Sequence, residues 1–121
     1  MSMKATNRQV EGVSVVDMSG RITLGEGSVV LRDTIRDLIG KGNKKILLNL
    51  GDVTYIDSSG IGELVSAFIA VRREGGDVKL LNLTKKVDQV LQIVKLRTVF
   101  DVFDNEAAAL ASFAKQQRRA G

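Results

Sequence analysis

A chain of 121 residues with 18 Lys and Arg against 14 Asp and Glu carries a net charge of +4 and fits one domain. It has no Cys and no His, which excludes a disulfide framework, a thiolate nucleophile, a Ser-His-Asp triad and any metal site built on those ligands. No apolar run approaches the roughly 18 residues of a membrane span, and the segment Met1–Arg8 lacks the apolar stretch of a secretory signal. A cytoplasmic protein with no membrane association is expected. Residues 4–9 alternate weakly, and Glu11-Gly12 reads as a hairpin turn before a β-branched strand over 13–19. Gly20, Gly25 and Gly27 punctuate a loop, with Ser28 placed to cap the helix that follows. Leu31, Ile35, Leu38 and Ile39 recur at helical spacing until Gly40 and Gly42.

Lys45–Leu50 is a nearly continuous apolar run, the signature of a strand buried on both faces. Ile61, Leu64, Val65, Phe68 and Ile69 then form one apolar helical stripe, which Gly75-Gly76 ends. Val78–Asn82 reads as a strand, and Val87, Val90, Leu91 and Val94 as a third helical stripe. The short apolar piece Val99–Phe103 is a candidate edge strand. Ala107, Leu110, Ala111 and Ala114 mark a last helix, capped by Asp104 or Asn105. The order β-β-α-β-α-β-α-β-α predicts an α/β fold: a single-domain sandwich with a mixed, mostly parallel sheet and an antiparallel opening hairpin. The domain is expected over residues 1–115, with a basic C-terminal tail at 116–121 that contains Arg118 and Arg119.

The positive charges are scattered rather than gathered into a track, and no aromatics interleave with them. Nucleic-acid binding is not expected. Catalysis would rest on carboxylates, lysines and hydroxyls alone, so neither an enzyme nor a cofactor is expected. Ser112-Phe113-Ala114-Lys115 matches Ser-x-x-Lys, but its companion elements are absent.

Most of the information lies in Asp52–Glu63, between the buried strand and the strongest helix. Asp57, Ser58, Ser59, Gly60 and Gly62 are small or polar residues at the C-terminal end of a parallel strand, where ligands and partners approach open α/β sheets. Either serine is placed to cap the helix, and the glycines leave its first turn open to close approach. Three readings stand on the residues alone. The first is a cap with packing glycines. The second is an anion site at the helix N-terminus, although the phosphate-loop pattern Gly-x-x-x-x-Gly-Lys-[Ser/Thr] is absent. The third is a phosphorylation site, where a phosphate would add about −1.5 to −2 charge to a docking face without unfolding it.

Tyr55-Ile56-Asp57-Ser58-Ser59-Gly60-Ile61-Gly62-Glu63-Leu64 closely resembles the central motif of the STAS-domain anti-sigma factor antagonists of bacteria. The resemblance takes in nearly the whole chain, including Ser19-Gly20-Arg21-Ile22-Thr23, Gly75-Gly76 and the stretch 87–103. It implies partner switching. The unmodified antagonist binds an anti-sigma factor that is also a serine kinase and so frees the sigma factor. Phosphorylation of the serine after the aspartate, Ser58 here, releases the partner, and a phosphatase resets the protein. By the same resemblance, Gly20, Arg21, Ile22, Thr23, Asp57, Ser58, Ser59, Gly60, Ile61 and Gly62 form the partner-binding surface, with Asp57 shaping the charge around the hydroxyl. Many relatives carry an acidic residue where this chain has Thr23. Two alternatives remain: a STAS docking subunit of a larger signalling or transport assembly, and a nucleotide- or anion-sensing module.

Overall fold

The computed structural model describes residues 3–120, with side chains described as far as Ala114. The elements are β1 (Lys4–Val10), β2 (Val13–Ile22), α1 (Glu26–Gly40), β3 (Lys45–Ile56), α2 (Ser58–Arg73), β4 (Asp77–Leu81), α3 (Lys85–Ile93), β5 (Val102–Phe103) and α4 (Glu106–Ala120). This is the order expected from the sequence. Five strands form one sheet in the order β1-β2-β3-β4-β5. The β1–β2 pair is antiparallel and the other three pairings are parallel. The turn between β1 and β2 is made by Glu11 and Gly12, both at positive φ (52° and 80°), the backbone that suits a tight hairpin. Of the expected tail, residues 116–120 have a helical backbone within α4, and Gly121 lies outside the described residues.

Alternation along the strands separates two cores. Val16, Met18, Ile46, Leu48, Val78 and Leu80 face the layer of α1, α2 and α3. Val13, Val15, Leu47 and Leu81 face α4, which contributes Ala109, Leu110 and Phe113. The large core carries most of the stability; truncating a fully buried leucine such as Leu48 to alanine costs about 2–5 kcal/mol. No helix among the described residues is long and apolar enough to cross a membrane.

Several local expectations need correction. Residues 20–22 and 51–56 are strand rather than loop, because β2 and β3 continue to pair through two register shifts. Each shift places one extra residue in β3. The inward residues therefore run Leu50, Val53, Ile56, three apart instead of two. Ser28 does not cap α1: Gly25, at φ 96°, holds that position, and the Ser28 hydroxyl donates to the Thr23 carbonyl at 3.0 Å. On α2 the buried stripe is Ile61, Leu64, Ala67 and Val71, while Ile69 is 46% exposed. On α4 the buried residues are Ala109, Leu110 and Phe113, and Ala107, Ala111 and Ala114 face outward. Asn105 caps this helix, its side-chain oxygen accepting from the Ala108 amide at 2.9 Å.

Candidate functional site

The C-terminal ends of β2 and β3 lie side by side, with Arg21 opposite Tyr55 and Ile22 opposite Ile56. One residue, Asp57, connects β3 to α2. Its backbone is extended (φ −107°, ψ −173°), and its amide continues the ladder by donating to the Ile22 carbonyl at 3.3 Å. The side chain is the cap of α2: Oδ1 accepts from the Gly60 amide at 3.0 Å. Neither serine takes that role. The other oxygen, Oδ2, accepts from the Leu24 amide at 3.0 Å, so one carboxylate ties the β2–α1 loop to the start of α2. The Gly60 amide chiefly, helped by that of Leu24, holds the Asp57 carboxyl below the ordinary aspartate range against its partial desolvation.

Two glycines let the helices close on the same stretch of β2. A β-carbon on Gly60 would run into the Ile22 carbonyl oxygen and stand 2.7 Å from Ile56 Cγ1. One on Gly27, at the start of α1, would run into the Arg21 carbonyl oxygen. Gly62 is different: nothing lies within 4 Å of where its β-carbon would be. The first turn of α2 is thus tight on its inner side and bare on its outer side.

On that outer side Ser58 is exposed and Ser59 half-buried. Among the described residues the Ser58 hydroxyl has no side-chain hydrogen bond. An unengaged hydroxyl at the first position of a 16-residue helix, beside an ionised carboxylate, can accept a phosphoryl group without breaking any contact of the fold.

The model of one family, the STAS domain, matches residues 4–109. The chain belongs to the STAS domain family. It is 30% identical over 102 residues to the anti-sigma-B factor antagonist of Bacillus subtilis, which covers 84% of this chain and 92% of that protein. An anti-sigma factor antagonist from Mycobacterium paratuberculosis superposes with a TM-score of 0.82 at 19% identity, covering 93% of this chain and 95% of that one. The phosphorylated form of the Bacillus cell fate determinant SpoIIAA superposes with a TM-score of 0.70 at 20% identity, over 90% and 98% of the two chains. At these identities the two structures speak for the fold.

Within the STAS fold, the ten residues singled out in the sequence divide into two groups. Ile22, Gly60 and Ile61 are buried and hold the two strand ends against α2. Gly20, Arg21, Thr23, Asp57, Ser58, Ser59 and Gly62 retain accessible surface and line one end of the sheet. Gly20 lies in β2 at φ 109°, next to a register shift, a backbone that favours glycine.

Three neighbours were not legible as site residues. Leu24 is 80% exposed in the loop that Asp57 holds, and a leucine amid Thr, Gly and Glu was the available signal. Tyr55 lies under two cations, the Arg21 guanidinium at 5.1 Å and the Lys86 ammonium at 5.6 Å from the ring centroid. At such exposed positions each cation–π contact contributes about 0.5–1 kcal/mol. No sequence pattern joins Lys86 to Tyr55, because the start of α3 is brought to this edge by tertiary contacts, among them the Thr84 hydroxyl, which donates to the Val53 carbonyl at 2.9 Å.

Proposed function

We propose that this STAS protein is an anti-sigma factor antagonist that docks through the joined ends of β2 and β3 and the first turn of α2. In the unmodified state it binds an anti-sigma factor that is also a serine kinase, and the sigma factor is freed. Transfer of phosphate to Ser58 releases the partner, and a phosphatase restores the hydroxyl. The protein itself catalyses nothing and acts in the cytoplasm, where transcription is controlled.

The observation that carries this reading is the position of Ser58. It is the exposed residue next to Asp57, whose carboxylate is already engaged by the Gly60 and Leu24 amides. A phosphate there meets the favourable end of the α2 dipole but adds to the negative charge of Asp57, so it alters the face more than the fold. The names of the relatives point the same way. The anti-sigma-B and anti-sigma F factor antagonists among them match 84% and 91% of this chain.

The test is phosphosite mapping by mass spectrometry on protein from growing and stressed host cells, followed by binding to the anti-sigma factor recovered with it. A phosphate on Ser58 that changes with condition is expected. Ser58→Ala should bind and resist modification, and Ser58→Glu should bind weakly. A stable complex indifferent to both substitutions would make the chain a docking subunit instead.

A further inference from the structure

Two cations at the end of the sheet that leads into Ser58 lack acidic partners. Arg21 and Lys86 are both exposed, both lie over the half-buried Tyr55 ring, and neither has a carboxylate partner among the described residues. Some cations elsewhere are paired, among them Arg8 with Asp17 and Glu106, Lys79 with Asp101 and Arg97 with Asp88. Others among the described residues, such as Lys4, Arg36 and Lys95, are not; what sets Arg21 and Lys86 apart is that they share one ring. The Arg21 side chain is placed by strand register opposite Tyr55, and that of Lys86 by the anchoring of α3 through Thr84. Two positive charges are therefore held at one aromatic ring by the frame of the fold.

Tyr55 is three residues before Ser58, so their backbones are no more than about 10 Å apart at 3.3 Å per extended residue. That bound on the backbones exceeds one screening length at physiological salt, about 8 Å, so any coupling between the ring's cations and a charge on Ser58 is strongest at low salt. We propose that Arg21, Tyr55 and Lys86 form a cationic platform that receives an acidic patch on the anti-sigma factor, and that phosphate on Ser58 releases the partner by offsetting the platform's charge. This rests on the reading of Ser58 as the switch. It adds the residues that recognise the partner, the sign of the partner's surface and the physical route of release.

A protein surface fits this platform better than a nucleic acid does. The ring's cation contacts are already made by the chain's own residues, which leaves no free aromatic platform for a base to stack on. The neighbouring surface contributes an exposed leucine, Leu24, and the bare turn at Gly62, a mixture of apolar contact with Arg and Tyr that is usual at protein interfaces.

The experiment uses the full chain and the anti-sigma factor that co-purifies with it, with association and dissociation rates measured at about 50, 150 and 400 mM salt. Wild type, Arg21→Gln, Lys86→Gln and the double variant are each compared with and without Ser58→Glu, and Arg21→Lys serves as the charge-preserving control. The double variant should bind about tenfold more weakly, mainly through slower association, and lose most of its salt dependence. In that background Ser58→Glu should have less than a third of its effect in wild type, and Arg21→Lys should retain binding. Unchanged binding and salt dependence in the double variant, with Ser58→Glu still releasing the partner, would overturn the platform and leave the switch standing. A weakened double variant with Ser58→Glu inert in every background would support the platform and refute the switch. Binding of a 20-nucleotide single strand that is lost in the double variant, with partner affinity unchanged, would give the cations to nucleic acid.

Discussion

The carbonyl oxygen of Ile22 occupies the space that a β-carbon on Gly60 would need. The contact joins the last residue of β2 to the third residue of α2 and sets how closely that helix approaches the sheet.

Gly60→Ala should therefore destabilise the protein by about 1–3 kcal/mol, because backbone must move to admit one methyl group. Gly62→Ala, two residues away in open space, should stabilise it by about 0.5–1 kcal/mol by lowering the entropy of the unfolded chain. Urea midpoints of the two variants, read against wild type, should move in opposite directions.

Asp57 was expected from the sequence to shape charge at the site, yet it also fastens two segments together. Asp57→Ala should cost about 1 kcal/mol, as loss of an N-cap does. Asp57→Asn should cost less, since an amide oxygen still caps the helix, but it can no longer accept from Gly60 and Leu24 through two separate oxygens. Amide exchange at Leu24 should report the difference directly, with faster exchange in the asparagine variant than in wild type.

Acid should weaken the fold through a different group of residues. Arg8 donates to both Asp17 and Glu106, at 2.6 Å to one oxygen of each, and these hydrogen bonds hold both carboxyls below their ordinary range. A depressed folded value means that the stability they contribute is present above about pH 4 and is lost as pH falls through the folded values. In Arg8→Met the stability curve should flatten on the acid side. Because the three side chains are each about a third or more exposed, the loss at neutral pH should be only about 1 kcal/mol. Urea unfolding between about pH 2 and 7 checks both statements.

Lys79 is buried between the sheet and α4, donating to the Ser112 hydroxyl at 2.9 Å with its ammonium 4.7 Å from the Phe113 ring. Ser112→Ala should cost about 1–2 kcal/mol by removing an acceptor from a buried charge. Lys79→Met, which replaces the charge with a side chain of similar volume, should be neutral or stabilising. Hydrogen exchange across α4 should quicken in the first variant and not in the second.

All nine elements and their order were legible in the sequence because most apolar stripes keep their periods, as Leu31, Ile35 and Leu38 do in α1. The second half of β3 was not. Its inward residues Leu50, Val53 and Ile56 are three apart, and Gly51-Asp52 between them looks like a turn. Pairing with β2 overrides that local signal. The motif around Ser58 was legible, but the identity of its cap was not: Asp, Ser and Ser are all competent caps, and the choice depends on a strand end that the sequence concealed. Ala107, Ala111 and Ala114 marked α4 as a helix but not its buried side, because alanine is compatible with either face and Phe113 decides which side is buried.

The two surplus residues of β3 make the phase of the site depend on length. Side chains alternate between faces, so deleting a single residue from 51–54 would turn Tyr55 toward the large core and Ile56 toward solvent. Deleting two, one at each irregularity, would return both to their own sides. This end of the sheet should tolerate shortening only in pairs.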